Sequence, residues 1–242
     1  MTTVSVEATG TSVDNDFIKN QLDDGKKNLS NAIKLHRNDI VVSLINEWFK
    51  LFDASSVHRY FFSENFCDNN SKTALHLAFE LNDIDILRTL LNFNANPAIK
   101  DNINNKNLTE LINSSKNNKM KQILNDSLLQ AIAQNNLVQV QNFIDSGIDL
   151  NSTETILDNN SYLHWVFSTR FVFLFIFSFI CNVKAVLYSS ENVVKCLLDN
   201  SANVNILNKF GASALHDAVY KRKDLNIIEM MLLSGKRAGN MN

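Results

Sequence analysis

Lys72-Thr73-Ala74-Leu75-His76-Leu77-Ala78 is followed by the apolar pairs Ile86-Leu87 and Leu90-Leu91. Counted from Leu75, Ala78 and Phe79 lie at offsets 3 and 4, and Leu90 and Leu91 at offsets 15 and 16. The same frame starts at Leu29 (Ala32, Ile33, Leu44, Ile45), at Leu108 (Leu111, Ile112, Ile123, Leu124) and at Leu128 (Ala131, Ile132, Phe143, Ile144). Spacings of 3 and 4 put side chains on one face of a helix. Each unit therefore reads as two short amphipathic helices around a small polar turn, Leu81-Asn82-Asp83 in one case and Gln134-Asn135-Asn136 in another. One such hairpin cannot bury its own stripe, whereas tandem hairpins complete each other's core. The expected fold is an all-α helical-hairpin solenoid.

Two further units open at Ser161-Tyr162-Leu163-His164-Trp165-Val166 and at Ser213-Ala214-Leu215-His216-Asp217-Ala218. Between them lie Val193-Val194-Lys195-Cys196-Leu197-Leu198 and Ala202-Asn203-Val204-Asn205. The segments Thr73-Ala74-Leu75-His76-Leu77-Ala78, Leu215-His216-Asp217-Ala218, Ser146-Gly147-Ile148-Asp149-Leu150-Asn151 and Ser201-Ala202-Asn203-Val204-Asn205 resemble the TPLHxA and GADVN signatures of the ankyrin-repeat family. Leu75 to Leu108 spans 33 residues, the length of that family's repeat. The resemblance covers residues 27–235 and implies about six repeats. It also implies that the imidazoles of His76, His164 and His216 hydrogen-bond backbone and tie adjacent turns, rather than bind a ligand or catalyse.

Departures from the period divide the chain. Residues 1–25 are polar and acidic, without a basic or apolar region of a signal peptide, and read as a mobile leader. Leu29 to Leu75 is 46 residues, 13 in excess, within the aromatic-rich stretch 46–70. That stretch reads as a longer second helix whose aromatics pack on the end of the array, ahead of the alternative of a partner-binding anchor. Leu108 to Leu128 is only 20, so a finger loop is missing there. Asn125-Asp126-Ser127 would make a helix break and cap. Two offset stacks are expected, 26–125 and 126–242, with a bend at 125–127.

The fifth repeat is interrupted. Leu163 to Leu197 spans 34 residues where 15 are expected, and removing the 19 residues 170–188 restores a 33-residue spacing from Leu163 to Leu215. The insert contains Phe171, Phe173, Phe175, Phe177 and Phe179. A bilayer span needs about 20 apolar residues. The uninterrupted run 171–181 is shorter, before Asn182 and Lys184. A partner-binding or membrane-dipping loop is a second reading. A translated intron is the third, favoured because the period returns when the segment is cut. Sequencing cDNA across it decides the matter: a main transcript lacking this stretch identifies the intron. As written, the run is an aggregation hazard, apolar and β-prone with no charge or proline.

Composition narrows function further. Hydrophobic residues make up 45% and charged residues 20%, enough to build a core. A net charge of −2 excludes a strongly basic nucleic-acid binder. One proline and six glycines argue against a turn-rich β-sandwich. Cys67, Cys181 and Cys196 form no CxxC pair, which points to a reducing compartment and a cytoplasmic location. The 36 asparagines are explained by AT-rich coding as well as by any functional need.

No GxxxxGK[ST], GxGxxG, HExxH or GxSxG motif is present. Cys67 and His76 fit no zinc spacing. Cys196 falls on an apolar helix stripe, the position of a buried, inert thiol. The expectation is a chain that is not an enzyme, with no cofactor, no metal and no small-molecule substrate, acting as an adaptor or scaffold for a partner protein. A membrane protein anchored by 170–188 and a regulatory fragment of a larger enzyme are the alternatives. The last repeat, ending in Gly235-Lys236-Arg237-Ala238-Gly239-Asn240-Met241-Asn242, has no polar capping unit, as a fragment or an alternative terminus would. The resemblance implies that partners meet finger tips and the concave face of the first helices. On this chain those positions are Leu77, Glu80 and Leu81; Gln130 and Gln134; Trp165; Asp217, Tyr220 and Lys221; with fingers at Ala98, Lys100 and Asp101 and at Ile206, Asn208 and Lys209.

Overall fold

A computed structural model describes residues 12–51, 72–115, 117–152, 161–167, 191–220 and 223–239. These residues form eleven α-helices and no named strand. In chain order they are α1 Ser12–Lys34, α2 Asn38–Leu51, α3 Ala74–Glu80, α4 Ile84–Asn92, α5 Leu108–Ser115, α6 Asn118–Ala133, α7 Leu137–Asp145, α8 Tyr162–Phe167, α9 Glu191–Asp199, α10 Ala214–Tyr220 and α11 Leu225–Gly239. The chain divides into two compact units, Met1–Ser127 and Leu128–Asn242.

In the N-terminal unit α1 packs on α2 and α3, α2 on α4, and α3 on α4 and α5. In the C-terminal unit α7 packs on α9, α8 on α9 and α10, and α11 on α9 and α10. The frame positions supply both cores. Leu29, Ala32, Ile33, Ile45, Leu75, Ala78, Leu90, Leu91, Leu108, Ile112, Ile123, Leu124, Leu128, Ala131, Ile132 and Phe143 are buried. Leu44, Phe79, Leu111 and Ile144 are half-buried.

The turns repeat as closely as the core. His36, Asn82 and Asn135 follow Leu29, Leu75 and Leu128 by the same seven residues, and all three have positive φ (55°, 52°, 54°). Each helix end closes the same way: Arg37, Asp83 and Asn136 N–H donate to Ala32, Ala78 and Ala131 C=O, five residues back. That is the Schellman pattern, which needs a left-handed residue at the turn. The second helices close likewise at Asn94, Gly147 and Ser201 (φ 63°, 80°, 67°), with Ala95, Ile148 and Ala202 donating to Leu90, Phe143 and Leu197. Asparagine tolerates this conformation better than other residues with a Cβ. Four of the six non-glycine positive-φ residues are asparagines, so part of the asparagine content does structural work that coding bias alone does not explain.

Two expectations are corrected. The polar leader was to run to residue 25, yet α1 begins at Ser12. Lys34, in its last turn, suits the helix dipole. The break at Asn125-Asp126-Ser127 is absent, because α6 runs unbroken from Asn118 to Ala133. Met120, Ile123, Leu124, Ser127, Leu128, Ala131 and Ile132 are all buried at spacings of 3, 4, 7 and 8. One continuous stripe outweighs three residues that are merely able to cap. Of the aromatic-rich stretch, Trp48 is buried and Phe49 stacks on Phe93 with centroids 6.0 Å apart. Phe52 to Phe66, Cys67, Cys181, the insert 170–188 and the residues after Gly239 lie outside the described residues. No helix among the described residues is long and apolar enough to cross a membrane.

Candidate partner-binding surface

Thr73 accepts from His76 N–H at the start of α3, and its own N–H donates to His76 Nδ1 at 3.3 Å. With Nδ1 an acceptor, the proton of the neutral ring is on Nε2, which donates to Lys106 C=O at 3.0 Å. His164 copies this: Ser161 N–H donates to Nδ1 at 3.2 Å, and Nε2 donates to Ala212 C=O at 3.1 Å. His216 Nδ1 takes Ser213 N–H at 3.1 Å. Burial lowers the pKa of His76 and His164, against the carbonyl each one faces. A neutral imidazole with both nitrogens used in structure is a tie between hairpins and is not free for acid–base work. No group of three or more His, Cys, Asp or Glu side chains able to hold a metal occurs among the described residues. Cys196 is half-buried and its S–H donates to Gln141 Oε1 at 3.4 Å. Burial raises its pKa, away from the reactive thiolate.

Around these ties the expected contact positions separate into exposed and internal ones. Glu80 is exposed and pairs with Lys72, Leu81 is half-buried, Gln130 is half-buried and Gln134 is exposed. Asp217 is half-buried and Tyr220 is 80% exposed. Trp165 lies on α8, but its side chain, like all of Lys221, is outside the described residues. Leu77 is only 5% exposed, so it belongs to the core and not to a contact face. The seven-residue α3 is flanked by α1 and α5, which leaves little of it in water.

The fingers divide in the same way. Ala98 is half-buried, and Lys100 is exposed with Nζ 4.0 Å from Glu110. Asp101 is 2% exposed and builds its own loop: it accepts from Asn104 N–H at 2.9 Å, Asn104 Nδ2 at 2.9 Å and Lys106 N–H at 3.3 Å. Burial opposes its ionisation, yet those donors outweigh it and hold the carboxyl below its usual range. Asp101 is thus a structural residue, not a contact. Asp101→Ala strands two backbone donors and is expected to cost about 1–3 kcal/mol, read as a lower urea midpoint at unchanged slope.

In the other finger Ile206 is half-buried. Asn208 accepts from Phe210 and Ala212 N–H at 3.0 and 3.1 Å, shaping a turn through Gly211 at φ +74°. Lys209 Nζ sits 5.0 Å from the centroid of the Phe210 ring. Phe210 is 70% exposed, Leu207 three residues before it is exposed, and so is Val219 in α10. Sequence reasoning missed all three. An aromatic before the glycine of a finger turn was the available signal, since the turn points outward.

Residues 70–102 match the family model for the ankyrin repeat, a stretch that takes in α3, α4 and the Asp101 loop. A protein of Rickettsia bellii named as an ankyrin repeat protein is 29% identical over 139 residues, covering 53% of this chain and 56% of the relative. The chain carries an ankyrin repeat. It spans about half the length of that curated relative. Among solved structures, an ankyrin repeat domain from Acinetobacter baumannii aligns with 17% identity over 86% of this chain and 97% of its own, at a TM-score of 0.35. The ankyrin repeat domain of Bcl-3, of the IkappaB family, aligns with 18% identity over 85% and 97%, at 0.31. The likeness to ankyrin-repeat proteins rests on these sequence matches, and the turn and histidine geometry repeats among the described residues. Ankyrin repeats in general mediate protein–protein interaction and are typically non-enzymatic.

Proposed function

We propose that this ankyrin chain is a non-catalytic adaptor that holds a partner protein on its finger tips and first helices, working in the cytoplasm without cofactor or metal. The observation that carries this reading is the division just described. Leucines, histidines and Asp101 build the scaffold, while Glu80, Lys100, Gln134, Lys209, Phe210 and Tyr220 are exposed on first helices and finger loops. Side chains that differ between repeats on a constant frame give specificity without chemistry. The exposed Tyr220 and Phe210 are of the type that dominates interface energetics.

The test starts from partners captured by the chain without residues 170–188 and identified by mass spectrometry. Substituting Tyr220→Ala and Lys221→Ala together is expected to weaken the captured partner about tenfold or more, as loss of a hot spot does. Thermal stability should stay within about 0.5 kcal/mol, as for other surface positions. Loss of more than about 2 kcal/mol of stability overturns the assignment of this face, because a surface change does not cost that much.

A further inference from the structure

Two histidines of the N-terminal unit make opposite demands on a proton. Nδ1 of His76 accepts the Thr73 N–H, so that ring serves the fold while neutral. Nδ1 of His36 lies 2.7 Å from Asp83 Oδ2. A carboxylate only accepts, so here Nδ1 carries the hydrogen and donates it. Charging the ring keeps this bond and turns it into an ion pair, at the short spacing of a charge-assisted contact. The His36 side chain is 54% exposed, so solvent protons reach it.

The contact joins separate hairpins. His36 is the left-handed residue between α1 and α2, and Asp83 caps α4, its Oδ1 accepting the Ile86 N–H at 3.0 Å. The two hairpins otherwise meet through α1 on α3 and α2 on α4. The next two turns are joined by neutral groups, Asn117 Nδ2 donating at 3.0 Å to Oδ1 of Asn82, the left-handed residue that corresponds to His36. Charged neighbours at this junction are engaged elsewhere or stand apart. Arg37 donates Nε–H and Nη2–H to Asp39 at 2.9 and 2.6 Å, and Glu80 at the end of α3 pairs with Lys72. Lys34 ends α1, and Asp85 and Arg88 lie in α4; among the described residues no ion pair links these three to His36 or Asp83. Burial opposes ionisation of Asp83, yet the Ile86 N–H, His36 and the Asp85 N–H outweigh it and hold the carboxyl below its usual range. Asp83 is therefore a carboxylate wherever histidine takes up its proton.

We propose that His36 and Asp83 form a clasp between the first two hairpins of the N-terminal unit that tightens in acid. Histidines of the unfolded chain titrate near about 6.5. Asp83 favours the charged ring, so the folded chain holds this proton more firmly than the unfolded one. The added hold is complete below about pH 6.5 and is lost as pH rises beyond it. It ends at the acid extreme, where Asp83 itself is protonated. At this junction the clasp works against the protonation that His76 resists. It makes no use of the finger tips or Tyr220, so it stands or falls apart from the adaptor reading.

The test is a double-mutant cycle in the full chain, read as hydrogen-exchange protection of the α1 and α2 amides at about pH 5.5 and about pH 8. His36→Asn removes the titrating ring and keeps a residue that tolerates positive φ. Asp83→Asn removes the charge and keeps a side-chain oxygen for the Ile86 N–H, and so the cap. The two substitutions are expected to couple by about threefold to fivefold at the lower pH, the scale of an exposed ion pair. At the higher pH the coupling should fall below about 1.5-fold. Equal coupling at both pH values makes the contact a neutral hydrogen bond and overturns the proposal. Absence of coupling at the lower pH overturns it as well. Far-UV circular dichroism of the three variants at the higher pH should match wild type, and a lost helical signal there makes His36 and Asp83 structural residues instead of a pH device.

Discussion

Phe143→Ala is expected to destabilise the C-terminal unit by about 3–5 kcal/mol, the range for truncating a fully buried phenylalanine. Among the described residues Phe143 is the bulkiest of the fully buried side chains, and it sits at offset 15 of the frame that starts at Leu128. Removing the ring forfeits its transfer free energy and leaves a cavity between elements that cannot collapse freely. The Phe143 carbonyl is itself pinned, accepting from Ser146 Oγ at 2.6 Å and Ile148 N–H at 3.5 Å, so the backbone there has little room to close the gap. Net stabilities are only about 5–15 kcal/mol, so one such change removes a large share. Phe143→Leu keeps most of the volume and should cost less than half as much. Val138→Ala, on the same helix but exposed, should fall within about 0.5 kcal/mol of wild type. Urea unfolding followed by far-UV circular dichroism measures all three. A Phe143→Ala loss below about 1.5 kcal/mol, under the usual range for such truncations, shows that the site repacks and is no keystone.

The frame read from Leu75 was legible because its information is redundant: the same offsets recur, and a helical stripe needs only residue type and spacing. The Leu-His ties were legible through the family resemblance, since the acceptor of each imidazole lies about thirty or more residues away, in a loop that spacing does not place. Exposure was less legible. Leu77 has the spacing of a surface position on an isolated helix, but neighbours on both sides of α3 bury it. Asp101 looks like a solvated finger acid, yet the backbone donors of Asn104 and Lys106 draw it inward. Both depend on what packs around a residue and not on the residue itself. At 125–127 two local signals conflicted, good capping residues and an unbroken apolar period, and the period prevailed because it governs more buried surface. Positive φ at Asn82, Asn94 and Asn135 was hidden for a different reason: asparagine is so abundant in this chain that its presence at a turn carried little information.

Acidification should loosen the repeats well before it protonates the structural carboxylates. His76 and His164 are neutral in the fold, each accepting a backbone N–H at Nδ1 and donating from Nε2. Protonation converts Nδ1 into a donor facing a donor, within a site that also resists charge. Burial is the main reason that both pKa values are lowered, outweighing for His76 the pull of the Lys106 carbonyl, Asp101 and Glu80. The direction of the effect follows from the unfolded chain, whose histidines titrate near about 6.5. Above that pH both states are neutral and the stabilisation is complete. Below it the unfolded chain takes up protons that the folded sites refuse, so stability falls with pH until the folded values are reached. Each histidine contributes a slope of up to about 1.4 kcal/mol per pH unit, and the pair up to about 2.7. Asp83 and Asp101, held below their usual carboxylate range, lose their contribution only in more acid solution. Urea midpoints at pH 7.5 and 5.5 should therefore differ markedly in the wild type. The difference should shrink in His76→Gln/His164→Gln, which is weaker at pH 7.5 but has no imidazole left to charge at these ties. Equal pH dependence in the two proteins assigns the acid sensitivity to other groups and removes the histidine ties as its cause.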